Sequence, residues 1–334
     1  MLPRFSFRRP TNLRSALETL HTHPARIHAG GTDLLGCLRD RVFDADAVVS
    51  LGAIDELKGI RKGLGGDMVI GAMTTIDSIA RDPDVITRFA ALAQAAAAVA
   101  SPQLRAQGTL GGNLCQKTRC WYYRGRFPCL RKGGDHCFAY EGRNEHHCIF
   151  GGEGCYMVHP SDTAPALAAL GAICRISGPT TSRSVPVEQF HIPAPVDPQR
   201  ETVLAADEIL TEIHLPAPPP NLRSSYRKVR TRKAWDFALA GVALALDFDD
   251  NIVRSARIFL AGAAPVPWRT RAAEEAVTGR HLDAETIERA SRAAVEDAEP
   301  LEHNHAKITL FEAIVAEQLK AIGSADFSPH FIGN

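Results

Sequence analysis

Leu13, Ala16, Leu17 and Leu20 recur at the spacing of one helix face, and Pro10 with the cap oxygens of Thr11 and Asn12 precedes them, so a helix is predicted over residues 10–21. Short apolar runs at residues 26–29, 46–51 and 68–72 read as strands, the first entering the turn Gly30-Gly31-Thr32-Asp33. Thr74-Thr75 leads into a helix over 76–80. The alanine-rich run 90–100, interrupted by Gln94, reads as a buried helix ending near Ser101-Pro102. After Ser161-Asp162 come an apolar helix over 164–170 and strands at 173–177 and 210–215. Pro216 and Pro218 to Pro220 mark a linker. Strand-like runs follow at 225–229, 238–246 and 253–260, the last two joined by a turn at Asp249-Asp250-Asn251. Helical stretches at 269–278, 284–298 and 308–322 close the chain. The pattern predicts an α+β protein: a mixed domain over residues 1–220, then a smaller antiparallel sheet with helices over 221–325 and a tail at 326–334. No internal repeat is visible.

Between residues 115 and 156 both periodicities fail. Six of the eight cysteines fall there: Cys115, Cys120, Cys129, Cys137, Cys148 and Cys155. A structureless stretch this long is expected to be functional. A chain of 334 residues does not need disulfide staples to fold, so gathered thiols point to a metal or redox centre.

Composition narrows the options. Lys plus Arg equals Asp plus Glu at 38 each, which gives no global electrostatic reason to expect nucleic acid or an anionic membrane. No apolar run reaches membrane-spanning length, and the N-terminus lacks the apolar core of a signal peptide. A cytoplasmic protein is expected, and in that reducing compartment clustered cysteines favour metal or redox chemistry.

Two glycine turns carry the remaining chemistry. Ala29-Gly30-Gly31-Thr32-Asp33-Leu34 and Thr109-Leu110-Gly111-Gly112-Asn113 can each expose successive backbone N–H groups as a nest for phosphate oxygens. Either alone reads more readily as an ordinary tight turn. Together they are expected to bracket one pyrophosphate. Neither has the spacing of a Rossmann or P-loop motif, which disfavours an ordinary NAD enzyme.

These turns, with Phe7-Arg-Arg-Pro-Thr-Asn-Leu13, Gly71-Ala-Met-Thr-Thr75, His159-Pro-Ser-Asp162, residues 226–237 and Gly262-Ala-Ala-Pro-Val-Pro-Trp268, resemble the FAD-binding medium subunit of the molybdenum hydroxylases, the xanthine dehydrogenase family. The resemblance covers nearly the whole chain. It implies a two-lobed FAD-binding domain of the vanillyl-alcohol-oxidase type and a C-terminal domain like that of the CO dehydrogenase flavoprotein. It implies that Ile27, His28, Ala29, Gly30, Gly31, Thr32, Asp33 and Leu34 line the FAD pyrophosphate, as do Thr109, Gly111, Gly112 and Asn113. Asp162 matches a position at the adenosine end of FAD; read by itself it is a helix cap. Lys228 matches a lysine near the flavin; read by itself it is a solvated strand residue. Thr75, Ser101 and Ile209 are carried over by position alone.

Most members of the family pass almost directly from the glycine-asparagine turn to the aspartate. The insertion here resembles that of 4-hydroxybenzoyl-CoA reductase and of certain bacterial aldehyde oxidoreductases, where it holds a 4Fe-4S cluster on four thiolates. By that resemblance the ligands are Cys120, Cys129, Cys137 and Cys155, with Cys148 the rival to Cys155; Cys37 and Cys174 read as buried hydrophobes. Zinc on four cysteines, or on three with His136, His146 or His147, is the competing reading, but the short knuckle spacing of structural zinc is missing. The expectation is an electron-transfer subunit binding FAD and a 4Fe-4S cluster, with no substrate chemistry of its own. The resemblance implies a large molybdenum-cofactor subunit and a small 2Fe-2S subunit, in a dimer of heterotrimers. Ferredoxin would feed electrons in on the reductase reading; on the aldehyde oxidoreductase reading they run outward.

Overall fold

The computed structural model describes residues 1–324 and 327. The strands β1 (Ser6–Arg8), β2 (Arg26–His28) and β3 (Ala47–Ser50) form a parallel sheet in the order β1-β3-β2. The predicted first helix spans Leu13–Thr22, capped by the Asn12 side chain on the Ser15 N–H at 2.9 Å, and buries Ala16, Leu17 and Leu20. The turn at residues 30–33 therefore leaves the carboxyl end of a parallel strand, where open sheets leave room for a ligand.

A second, antiparallel sheet contains β4 (Ile60–Lys62), β5 (Met68–Gly71), β6 (Ile173–Ser177), β7 (Ser182–Pro186) and β8 (Ile209–Leu215), in the order β4-β5-β8-β6-β7. The third contains β9 (Leu222–Val229), β10 (Ala240–Asp249), β11 (Ile252–Ala261) and β12 (Trp268–Arg269), in the order β12-β11-β10-β9. Asp250 and Asn251 turn between its two longest strands with φ of 46° and 67°. The strands β1, β4 and β7 were not foreseen. All three are edge strands whose residues are mostly exposed, so they carry no apolar signal.

The strand β10 is buried on both faces, which explains why its sequence is continuously apolar rather than alternating. Ala243 and Ala245 join the core around the alanine-rich helix Ala90–Ala98 and the helix Thr163–Ala169. Val242, Leu244 and Leu246 face the closing helices Arg271–Val277, Ala284–Ala293 and Ala306–Gly323. The third sheet is thus packed against both halves of the protein, beyond the proline-rich segment. Asp162 does not cap the helix after it with its side chain; the Ser161 hydroxyl accepts the Ala164 N–H at 3.0 Å instead.

The cysteine segment has no strand and only single turns of helix at Trp121–Arg124 and Leu130–Lys132. Its second half is tied to the C-terminal helices. Asn304 and Lys307 donate to the His147 carbonyl at 3.2 and 2.9 Å, and Phe150 stacks on Trp268 at 4.9 Å. Among the described residues no helix is long and apolar enough to cross a membrane.

His159 and His191 stack edge to face in the interior, 4.1 Å apart, and His191 Nε2 donates to the Leu114 carbonyl at 3.0 Å. Burial holds both rings neutral, His191 down to about 4 and His159 well below the usual histidine value. An unfolded histidine takes up a proton below about pH 6.5, whereas these do not, so the stability they leave intact at neutral pH is lost as pH falls from 6.5 toward 4. Denaturant unfolding at pH 7 and 5 is expected to show a loss on the order of 2 kcal/mol from His191 alone. His191→Gln, which can still donate to Leu114, should flatten that dependence; an unchanged slope would remove the histidine from the account.

Candidate functional site

Between the first two sheets and the cysteine segment lies a cleft of about 460 Å³, within the usual range of ligand pockets. Ile27, Ala29, Gly30, Gly31, Thr32, Asp33 and Leu34 form one wall; Thr109, Gly111, Gly112, Asn113, Asp162 and Ile209 also line it. The two turns touch. A Cβ on Gly30 would lie 2.0 Å from the Gln107 carbonyl oxygen, and one on Gly112 would lie 3.6 Å from the Ala29 Cβ. Glycine at position 30 is thus demanded by the close approach of two backbones.

The turns are not equivalent. Gly31 has φ of +74°, and among the described residues no group accepts the N–H of Gly30, Gly31, Thr32 or Asp33. These four N–H groups are free for an anion. In the second turn the N–H groups are taken: Leu110 donates to Thr74, Gly111 to Ala72, Gly112 to the Thr109 hydroxyl and Asn113 to the Thr109 carbonyl. The first turn is therefore the more open of the two to an anion. The Asn113 side-chain oxygen is also occupied, accepting from Ser161 at 2.5 Å and Thr163 at 2.7 Å. This turn supplies wall and anchorage.

Four expected residues stand behind the wall. The His28 ring packs under Gly31, where an added Cβ would meet Nε2 at 2.6 Å. Thr75 and Ser101 cap the helices Ile76–Arg81 and Pro102–Gln107. Lys228 is buried, its ammonium 2.7 Å from Asp162, whose other oxygen accepts the Tyr226 hydroxyl at 2.7 Å. Asp162 and Lys228 therefore act at one end of the cleft.

Asp33 joins the cleft to the cysteine segment. Its carboxylate lies 2.8 Å from Arg119 and 2.7 Å from Arg124, and it accepts the Lys117 N–H at 2.8 Å. Burial opposes ionisation of Asp33, but the two guanidiniums outweigh it and hold the carboxyl below its usual range. Lys117, Arg119, Trp235 and Phe237 also line the cleft, with Arg119 stacked over Phe237 at 5.1 Å. Sequence reasoning missed these as site residues. Residues 226–237 carried the family resemblance, but nothing local shows that residues 235–237 fold back over the cleft.

A second, small cavity is lined by Cys120, Cys129, Cys137 and Cys155, with Thr118, Tyr122, Tyr123, Leu130, Arg131 and Met157. Cys148 is not on it; its sulfur packs against Gly152. Free space between the four thiols is only about 10 Å³, room for one water, so any larger occupant requires these side chains to rotate outward. A hydrogen bond from the Cys155 thiol, then backbone N–H groups, pulls Cys137 down to about 6 and pushes Cys155 up. His147 Nε2 lies 3.3 Å from the Cys120 sulfur.

A partly apolar cleft of this size bordered by open backbone N–H groups has the features of a small-molecule or cofactor site. Residues 3–218 match the FAD binding domain in molybdopterin dehydrogenase, and residues 224–315 match the CO dehydrogenase flavoprotein C-terminal domain. The chain belongs to this family and is an FAD-binding medium subunit of the molybdenum hydroxylase type, part of an oxidoreductase. It is 34% identical to the aldehyde oxidoreductase FAD-binding subunit PaoB of Escherichia coli K12, over 79% of this chain and 82% of the relative. It is 28% identical to the carbon monoxide dehydrogenase medium chain of Hydrogenophaga pseudoflava, over 90% and 89%. The solved carbon monoxide dehydrogenase from that organism superposes with a TM-score of 0.77 at 28% identity, covering 96% of this chain and 98% of the other.

Replacing the Asp33 carboxylate leaves two partly buried guanidiniums unpaired. Asp33→Ala is expected to lower stability by about 3 kcal/mol and to reduce the flavin-to-protein ratio. Thermal unfolding and flavin absorbance on one sample check this; a variant with wild-type values for both would show that the clamp carries no strain when cut.

Proposed function

We propose that the protein is an electron-relay subunit that holds FAD in the large cleft and a 4Fe-4S cluster between Cys120, Cys129, Cys137 and Cys155. The observation that carries this reading is the gathering of those four thiols, and not Cys148, around one cavity beside the cleft. Four thiols round one cavity are the donor set a 4Fe-4S cluster takes, once the side chains turn outward to admit it.

In this reading the free N–H groups of residues 30–33 hold the pyrophosphate, and Lys117 and Arg119 add positive charge beside it. Ile27, Leu34 and Ile209 supply apolar wall. His28, Thr75 and Ser101 brace that wall, and the buried Asp162–Lys228 pair orients polar groups of the cofactor at one end. The FAD-binding unit spans residues 1–220, with the cluster-binding insertion at 115–156, and the C-terminal unit spans 221–325. Bound FAD exchanges two electrons with one-electron carriers, of which the cluster is one. The chain's own residues hold and insulate these groups and perform no substrate chemistry.

Partners are a large molybdenum-cofactor subunit and a small 2Fe-2S subunit, arranged as a dimer of heterotrimers. The 34% identity to an aldehyde oxidoreductase subunit favours the aldehyde-oxidising branch over 4-hydroxybenzoyl-CoA reductase, with electrons leaving toward an external carrier such as ferredoxin. A cytoplasmic location is part of this reading.

Anaerobically purified protein is expected to contain about four irons, about four sulfides and one FAD per chain. Cys155→Ser should lose most of the iron and sulfide while keeping flavin, and Cys148→Ser should keep both. Zinc without sulfide, or iron lost with Cys148 and retained without Cys155, would overturn the ligand assignment.

A further inference from the structure

The two sites share one buried carboxylate. Glu201 is 7% exposed and lies outside both the glycine turns and the cysteine segment. One of its oxygens pairs with the Lys117 ammonium, which lines the large cleft; the other lies 3.4 Å from Arg131 Nε, and Arg131 lines the thiol cavity. The Arg131 side chain is 2% exposed. Its guanidinium is fixed by donating to the Pro198 and Arg200 carbonyls. At 3.4 Å the Glu201 and Arg131 atoms attract as charges without forming a hydrogen bond, and neither has another partner. The pairing is therefore an electrostatic adjustment between two walls and does little to tether them.

We propose that Glu201 is a positioning residue linking the two redox sites, a single negative charge shared between Lys117 at the flavin wall and Arg131 at the thiol wall that sets the potentials of both groups together. The inference rests on the assignment of FAD and a cluster to these sites. Each group gains negative charge on reduction, or a proton to offset it, so a cation on the wall favours the reduced form and raises the potential. A carboxylate paired with that cation cancels part of the effect. Because Glu201 touches both cations, its charge acts at both sites, and burial keeps water from screening it.

The test is a redox titration of the holoprotein, following flavin by absorbance and the cluster by EPR. Glu201→Gln keeps the shape and removes the charge; both midpoint potentials are expected to shift upward. Glu201→Asp, which keeps the charge, should return both toward wild type. Lys117→Met removes a cation and leaves the Glu201 charge unpaired beside Arg131, so it should lower both potentials, that of the flavin more. Potentials unchanged in Glu201→Gln, or a shift at one site only, would overturn the link, as a merely structural role moves neither. If Glu201→Gln fails to hold its cofactors, Glu201→Asp and Lys117→Met decide: a Lys117→Met protein with an unmoved flavin potential overturns the proposal. Wild-type protein lacking sulfide and an iron–sulfur EPR signal would instead refute the cluster assignment, and the two-site link with it.

Discussion

The carboxylate of Asp33 holds the functional half of the molecule together. It belongs to the turn that offers free N–H groups, and it binds Lys117, Arg119 and Arg124 of the cysteine segment. That segment has no strand; Tyr123 and Cys129 of its first half pack on Cys37 and Val42, and the charged contacts add direction to that burial. Removing three charged side chains from water is costly, and the arrangement persists because each charge meets a partner at hydrogen-bond distance. The same contacts fix where the thiol cavity stands relative to the cleft. Its far side is fixed by a different device, the buried Lys307 of the last helix and Asn304 just before it, which bind the His147 carbonyl.

The chemistry of the cleft follows from what the protein leaves unsatisfied. Backbone N–H groups are nearly always paired in a folded interior. The four consecutive N–H groups at residues 30–33 have no protein acceptor and border the cleft, so they can receive an anion, whereas those at 110–113 already have protein acceptors. Asp162 and Lys228, buried as a pair, show the opposite economy: each neutralises the other. Charge in this protein is organised in linked pairs that cross the boundary between the two sites, through Asp33 on one side and Glu201 on the other.

Much of the fold was legible from periodicity. The helix Leu13–Thr22, the buried helix Ala90–Ala98 and the long strands β10 and β11 were expected near their observed bounds, because burial of one face or two leaves a direct mark on the order of apolar residues. The edge strands β1, β4 and β7 left none, since their hydrogen bonds are made by backbone whatever side chains they carry. The first glycine turn and the cysteine segment were likewise visible, because glycine and cysteine mark the geometry and chemistry they permit.

The sequence by itself determined which residue types were at hand: thiols in one segment, glycines at two turns, a balanced charge and two apolar cores. Tertiary structure alone decided how they are used. It selected four thiols around one cavity and turned Cys148 away. It left one glycine turn open and filled the other, placed Lys228 against Asp162, and set Glu201 between Lys117 and Arg131. The physical reason is the same in each case. Periodicity reports whether a side chain is buried; which partner it meets depends on segments 64 to 91 positions away along the chain, brought together only by folding.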